Sequence, residues 1–448
     1  MRPDARTRAR ESLDELRVAF REHPLVTLSL SFIGALILMS YALARGPTES
    51  LFLKSFGAEA LPGLWLEVGA AAALLVALYN RALSRFTLPQ LFQLSFALSA
   101  LTLPPLLWGP ALTPEGQVEV FGLVFPYGRA VWLRLWSDLY IVLLIEVYWS
   151  LANIYFPLRS ARALYGWLCA AGTIGSVAGN VLVRRYAHGW GSELLVAASL
   201  PTFALMSLAA LPLSSAFERR AAPEPAPEPA PEPAPEHAPE HAAHAGLMTG
   251  LRTVFDSPRL RWVLWLVLAS QVTVTLIEYQ YNGYLKLSYP DANDRTAVQG
   301  LVYLIVDIGA LAMQVSTGLI LALLGSGRTL LGIPLILGAL SLSAAVASPF
   351  IAVATVRSAS KFLTYSIFKS AKELLYLPLS YTEKTQGKAV IDILVYRQSK
   401  LIASALLLGL TAAGVGLAQI SWLTGLSLVA WVWISVALWR VLRSGEPR

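Results

Sequence analysis

"AAPEPAPEPAPEPAPEHAPEHAAHAG", residues 221–246, is an Ala-Pro-Glu-Pro repeat without a side chain large enough to build a core. Proline fixes φ and offers no N–H, so such a run is expected to form an extended, polyproline-like tether. On each side of it the chain is strongly apolar. Apolar segments near or above the roughly 20 residues that cross ~30 Å of hydrocarbon fall at 25–45, 60–80, 88–108, 129–156, 161–186 and 192–213 before the tether, and at 259–282, 297–324, 328–346, 349–377, 389–418 and 421–442 after it. The expectation is an all-α membrane protein with twelve transmembrane helices in two six-helix parts. Its divisions are an N-terminal arm (1–24), a first half (25–217), a linker (218–247), a second half (248–443) and a short tail (444–448).

Composition points the same way. Of the 448 residues 56% are apolar and 14% charged, a balance foreign to soluble domains of this size. The N-terminal arm mixes Arg with acidic residues and lacks a small-residue cleavage site after the first apolar run, so it reads as a retained cytoplasmic arm rather than a signal peptide. With both termini cytoplasmic, Arg81, Arg85, Arg159, Arg162, Arg219, Arg220, Arg252, Arg328, Lys384, Lys388, Arg440 and Arg443 fall on the inner side, while Arg184 and Arg185 are exceptions. The net charge of +7 therefore speaks of topology and anionic lipid headgroups, not of nucleic acid. Cys169 is the only cysteine, which excludes an intrachain disulfide and marks it as a small packing residue. His237, His241 and His244 read as spacing in a solvated linker rather than a metal tract.

An ionisable residue at membrane depth is expensive and usually faces a partner or a wet path. The fourth segment carries Arg134, Asp138 and Glu146; the first two are four apart and can pair on one helix face. Asp307 lies about 15 Å into the eighth segment at 1.5 Å per residue. In the tenth, Arg357 and Lys361 are also four apart, about 12 and 18 Å deep. The eleventh contains Asp392, Arg397 and Lys400. Glu278 is counted nearer the end of its segment, so Arg357, Lys361, Arg397 and Lys400 outnumber the deep carboxylates of the second half. Cations left after pairing suit an anionic substrate, and Arg suits bidentate grips on phosphate or carboxylate. Structural ion pairs remain the competing reading for each of these residues. Lys369, Lys372 and Glu373 end the tenth segment at the inner interface, as anchors or as an inner gate.

Gly172, Gly175 and Gly179 form a small-residue face for close helix packing, since no Gly-Lys-Ser/Thr phosphate loop accompanies them. Trp132, Trp136, Tyr140, Tyr148 and Trp149 read as interface and packing aromatics, with base stacking as the alternative.

The layout of six segments, linker and six segments suggests a facilitator-type transporter with a midplane site between halves. Four stretches sharpen this: "LFLKSFGAEALPGLWL" (51–66), "LYIVLLIEVYWSLANIYF" (139–156) running into "SARALYGWLCAAGTIGSVAGNVL" (160–182), "SPRLRWVLWLVLASQVTVTLIEYQYNGYLK" (257–286) and "KELLYLPLSYTEKTQGKAVIDILVYRQSK" (372–400). In this order they resemble the nucleotide transporter family, the ATP/ADP translocases and their bacterial relatives. The resemblance implies a facilitator-like bundle and secondary transport, in the best-known members exchange of ATP for ADP. It places Lys400 on a translocase lysine. Thr48 stands where the family carries a basic residue before the acidic Glu49, and Arg134 stands where translocases carry a glutamate. The expected carrier is a monomer in a bacterial inner membrane, without cofactor, working by alternating access, with Asp307 or Glu146 as a protonatable alternative to plain exchange. An enzyme is not expected, because His23 and His188 are the only histidines outside the linker and both lie near membrane borders.

Overall fold

The structure is a computed structural model that describes residues 24–110, 114–120, 123–156, 158–221, 247–342, 348–376, 379–380, 383, 388, 390–391 and 396–444. Residues 1–23 of the arm, 222–246 of the linker and Asp392 lie outside the described residues. The elements run α1 (Pro24–Ser55), α2 (Leu61–Leu83), α3 (Leu88–Trp108), β1 (Gly116–Val120), β2 (Leu123–Tyr127), α4 (Arg129–Tyr155), α5 (Leu158–Ala197) and α6 (Leu200–Ala221). After the linker come α7 (Leu247–Asp256), α8 (Pro258–Ser288), α9 (Ala292–Ser341), α10 (Pro349–Leu363), α11 (Lys369–Tyr376), α12 (Tyr396–Ala412) and α13 (Leu417–Ser444). Seven of these helices carry a stretch long and apolar enough to cross a membrane. The charge-bearing α4 and α10 are not among them.

Segment boundaries follow local chemistry. Gly325 (φ 73°) bends the 50-residue α9 and Gly191 (φ 78°) bends α5, each between two apolar segments separated in the sequence. Positive φ is cheap only for glycine. Ser257 caps α8, and Asp291 caps α9 by accepting from the amides of Asn293 (2.7 Å) and Asp294 (3.1 Å). Those amides hold the Asp291 carboxyl below the usual carboxylate range.

Two departures from the sequence reading bear on the site. Helix α1 does not end at residue 45; it runs through Pro47 to Ser55 and buries Gly46, Pro47, Thr48, Glu49 and Ser50. Within this turn Thr48 Oγ1 and Arg134 Nη1 both donate to the Arg45 oxygen, at 3.2 and 3.3 Å. The antiparallel β1–β2 hairpin, pairing Gly116 with Tyr127 through Val120 with Leu123, was not expected. Its alternating Gln-Val-Glu-Val was the available signal.

Four apolar clusters form among the described residues, the smallest of them around Leu43, Val183, Ala187 and Leu195; the other three organise the molecule. One draws only on residues 26–213 and another only on residues 254–438, so each side of the linker folds around its own core. The third joins the two bundles at the hairpin end. There Phe52, Leu53, Leu61 and Trp65 meet Leu276, Tyr281, Leu285 and Phe350, with the Tyr281 and Phe350 rings 6.0 Å apart. That end is sealed.

The glycine face of α5 packs on α1. A Cβ on Gly175 would overlap the Ala35 carbonyl, and one on Gly179 would come within 2.7 Å of the Ala42 Cβ. Gly175→Val should therefore destabilise the protein by about 1–3 kcal/mol through overpacking, whereas Gly166→Val, at a position open on every side, should change little. Thermal unfolding of the two variants in detergent compares them directly. Cys169 is exposed on α5, not a packing residue.

Candidate functional site

Arg357 on α10 is fully buried and heads a hydrogen-bond chain that reaches the first bundle through Tyr303. Its Nη2 donates to Glu278 Oε1 at 2.7 Å, its Nε to the same oxygen at 3.2 Å, and Nη2 also donates to the Tyr303 hydroxyl at 2.7 Å. Tyr303 on α9 passes the chain on, donating to Glu49 Oε2 of α1 at 3.1 Å. One helical turn beyond Arg357, Lys361 Nζ lies 2.8 Å from the other Glu278 oxygen. The guanidinium also rests 4.1 Å from the centre of the Tyr281 ring. A carboxylate shared by two buried cations, with aromatic faces around it, is a rigid and fully charged core for this region.

This overturns part of the charge count. Glu278 was set near a segment end because that segment was drawn to stop at 282, whereas α8 continues to Ser288 and leaves Glu278 about 15 Å from its terminus at 1.5 Å per residue. Arg357 and Lys361 are thus paired, not left over. Asp307 makes no ion pair among the described residues: its Oδ2 accepts from Ser176 Oγ at 2.6 Å and Asn180 Nδ2 at 2.9 Å, both on α5 across the bundle interface.

A further cation, Arg45, falls at the last residue of the 25–45 segment, and α1 carries it on into the bundle. Arg45 has no carboxylate within ion-pair distance among the described residues. Its guanidinium sits 3.8 Å from the Tyr303 ring centre and 5.4 Å from that of Tyr41. It lines a cavity of about 70 Å³ together with Tyr41, Ser176, Asn180, Tyr303, Asp307 and Tyr365. Tyr365 stands on the π-helical turn Thr364–Phe368 that joins α10 to α11, a break in helical register of the kind that recurs at functional sites. On α9, Arg295, Gln299, Tyr303 and Asp307 recur every four residues, so one face of that helix carries polar groups from the sealed end to the cavity. That spacing was legible and went unused.

The remaining residues divide clearly. Arg134 pairs with Asp138 at 3.3 Å beside the Arg45 carbonyl. Lys400 is exposed; its Nζ lies 5.5 Å from the ring centre of Trp65 on α2, and the charges acting on it include Asp138, Lys361, Glu278 and Arg134. Glu146 is exposed on α4. The side chain of Arg397, like Asp392, lies outside the described residues. Of the gate candidates, Glu373 accepts from Lys388 at 2.6 Å, Lys369 is exposed and Lys372 is buried. All four belong to the second bundle. Trp136, Tyr140 and Tyr148 are core residues, with Trp136 and Tyr140 rings 4.5 Å apart and the Tyr148 hydroxyl donating to the Leu30 carbonyl; Trp132 is about half exposed.

Residues 333–442 match the family model described as TLC ATP/ADP transporter. ADP,ATP carrier protein 1 of Chlamydia pneumoniae is 30% identical over 169 residues, 32% of this chain and 32% of that protein. ADP,ATP carrier protein 2, chloroplastic, of Arabidopsis thaliana is 28% identical over 168 residues, 33% of this chain and 27% of that protein. The alignments thus span about a third of the length of these relatives. Among solved structures, the nucleoside transporter NupG superposes with a TM-score of 0.60 at 12% identity, covering 92% of this chain and 98% of its own. A bacterial homologue of the iron transporter ferroportin in an inward-facing state gives 0.63 at 13% identity, covering 94% and 98%. At such identities the likeness is one of fold. The chain thus has helices long and apolar enough to cross a membrane, shares the fold of these solved transporters, and over residues 333–442 is similar to the TLC ATP/ADP transporter family.

Proposed function

We propose that the protein is a secondary transporter for an anionic organic phosphate, of the nucleotide class, working by alternating access. The observation that carries this reading is Arg45. It is a guanidinium without a carboxylate partner among the described residues, held between two tyrosine rings on the wall of a cavity between the bundles. An uncompensated Arg in such a place is stable when an anion joins it, and its planar fork matches a phosphate bidentately. Lys400, exposed and stacked near Trp65, supplies a second positive charge from the other bundle. Arg134, Arg357, Lys361 and Arg397 act around them, with Glu278 and Asp138 holding Arg357, Lys361 and Arg134 in place. The names of the curated relatives support the nucleotide class.

In this reading twelve spans form halves 25–217 and 248–443 joined by the 218–247 linker, with both termini in the cytoplasm of a bacterial cell and the hairpin end outside. A cavity of about 70 Å³ is far below the roughly 300–1,000 Å³ of ligand pockets. It takes a phosphate group, and a base and ribose occupy the groove that opens as the halves rock. Lys369, Lys372 and Glu373 then border the inner opening, where the Glu373–Lys388 pair anchors the end of α11. The carrier works as a monomer and needs no cofactor. Exchange follows because the empty carrier, with Arg45 unneutralised, reorients slowly.

Uptake of labelled ADP into proteoliposomes tests the reading. Liposomes preloaded with ATP should accumulate label well above empty ones, and Lys400→Ala should reduce the rate about tenfold, the value of roughly 1.4 kcal/mol for one charge-assisted contact. Equal uptake by loaded, empty and protein-free liposomes would sink the proposal.

A further inference from the structure

Arg295 on α9 sits at the sealed end with no exposed surface. Its Nη1 donates to the Tyr289 and Pro290 carbonyls at 2.8 and 2.6 Å, and its Nη2 reaches across the bundles to the Ser50 carbonyl of α1 at 3.1 Å. All three acceptors are neutral. The carboxylates that act on Arg295, Asp291 and Asp294, are engaged elsewhere, one capping α9 and the other 2.8 Å from His188. A buried cation held only by carbonyls lacks the contact that would best offset its desolvation. Polar atoms beside it lack a partner among the described residues: Arg295 Nε, Ser50 Oγ and, one turn along α9, both Nε2 and Oε1 of the fully buried Gln299. An unsatisfied buried amide costs stability, and its retention calls for a partner that this closed arrangement does not supply. Gln299 lies in the closing surface itself, since a Cβ on Gly46 of α1 would come within 3.1 Å of its Oε1. The next residue on that face, Tyr303, has its ring centre 3.8 Å from the Arg45 guanidinium. Arg295 and Tyr303 stand about 12 Å apart along α9 at 1.5 Å per residue, with Gln299 midway.

We propose that Arg295 and Gln299 form a second anion site, the outer counterpart of Arg45, which is folded into the seal here and offered to substrate when the outer end opens. The inference rests on the anionic, alternating-access reading above and deepens it. Opening separates α1 from α9 and so breaks the Arg295–Ser50 bond. The guanidinium then exchanges a neutral carbonyl for the oxygens of a phosphate, a stronger, charge-assisted partner that its fork grips at two points. Gln299, whose Nε2 has no bond to give up, donates to the anion as it passes from Arg295 toward Arg45. Once the anion has moved on, Arg295 recovers the Ser50 carbonyl and the end closes behind it. Entry site and clasp are thus one residue, and the polar face of α9 is the track between two cations.

The experiment measures transport of labelled ADP by the full chain from each side of the membrane. Intact cells expressing the protein present the outer side, and inside-out vesicles from the same cells present the inner side. Gln299→Leu removes an amide that has no partner to lose, so the unfolding midpoint should stay level or rise. Its external KM for ADP should nevertheless rise several-fold while the inner KM stays where it is. Arg295→Gln should raise the external KM about tenfold or more, the effect of losing one charge-assisted contact. A clasp without any role toward the anion predicts the opposite sign, because its loss favours the outward-open state and lowers the external KM. If Arg295→Gln does not fold, Gln299→Leu decides alone. An external KM that stays level or falls in either variant, or a Gln299→Leu shift equal on both sides, overturns the second site and leaves the Arg45 reading standing. Absence of ADP and ATP uptake from either side in the wild-type protein overturns the transport reading and this inference with it.

Discussion

Replacing Glu278 by Gln should be the most damaging single change in the protein, lowering its stability by about 3–5 kcal/mol, the magnitude of breaking a buried ion pair from one side. The reason is geometric. Arg357 has no exposed surface, Lys361 is 14% exposed, and the Glu278 carboxylate is the anion that both cations contact, at 2.7 and 2.8 Å. A neutral amide leaves two desolvated positive charges facing one another one helical turn apart. Glu49 is already engaged by Tyr303 and cannot replace it. Thermal unfolding of the purified variant reads the effect, and a double substitution checks its cause. Lys361→Met combined with Glu278→Gln removes one of the stranded charges, so it should recover a measurable part of the loss and show strong non-additivity with the single changes. A loss below about 1 kcal/mol, typical of an exposed pair, would show that water reaches the cluster and that its charges are not structural.

Arg45→Gln should have the opposite profile, with stability retained and anion binding lost. Arg45 makes no ion pair among the described residues; its guanidinium contacts two tyrosine rings and the cavity. Removing it relieves an uncompensated charge rather than creating one, so the unfolding midpoint should stay level or rise. A charge-assisted grip on phosphate is worth about 1.5–3 kcal/mol, so the Kd for ADP or ATP should weaken roughly 10- to 150-fold. Titration calorimetry on wild type, Arg45→Gln and Arg45→Lys separates the contributions, since Lys keeps the charge and loses the bidentate fork. Unchanged affinity in Arg45→Gln would remove the residue from the substrate site and shift the search to Lys400. The contrast with Glu278 is the point of the pair: one side chain stabilises the scaffold and the other is held ready by it.

The difference between these two residues explains where sequence reasoning succeeded and failed. The pairing of Arg134 with Asp138 was legible because both lie on one helix, where a spacing of four residues fixes the neighbour. The α5 glycine face was legible for the same reason, and α1 does pack against it. Asp307 was recognisable as a costly residue, but its partners Ser176 and Asn180 lie 131 and 127 residues away. Glu278 was placed too near its segment's end and Arg45 was not singled out, for a common reason. Each apolar segment was ended where polarity began, at 282 and at 45, whereas α8 and α1 run on to 288 and 55. A helix inside a bundle can continue through polar residues when a neighbouring helix supplies their partners, as Tyr303 does for Glu49 and Arg134 for the Arg45 carbonyl.

The amino-acid sequence by itself determined the membrane character of the chain, the Ala-Pro-Glu-Pro tether between two apolar blocks, and the set of intramembrane charges. These follow from composition and period, quantities that each segment carries alone. The tertiary structure alone decided which charges cancel. Ion pairs across 79 residues between Arg357 and Glu278, or bonds across 254 between Tyr303 and Glu49, depend on which helix faces cross and at what depth. At membrane depth a charge is stable only beside a partner, so Arg134, Arg357, Lys361 and Lys400, and with them Arg45, which the sequence reading did not include, become scaffold or site according to which of them the folded bundle leaves unpaired.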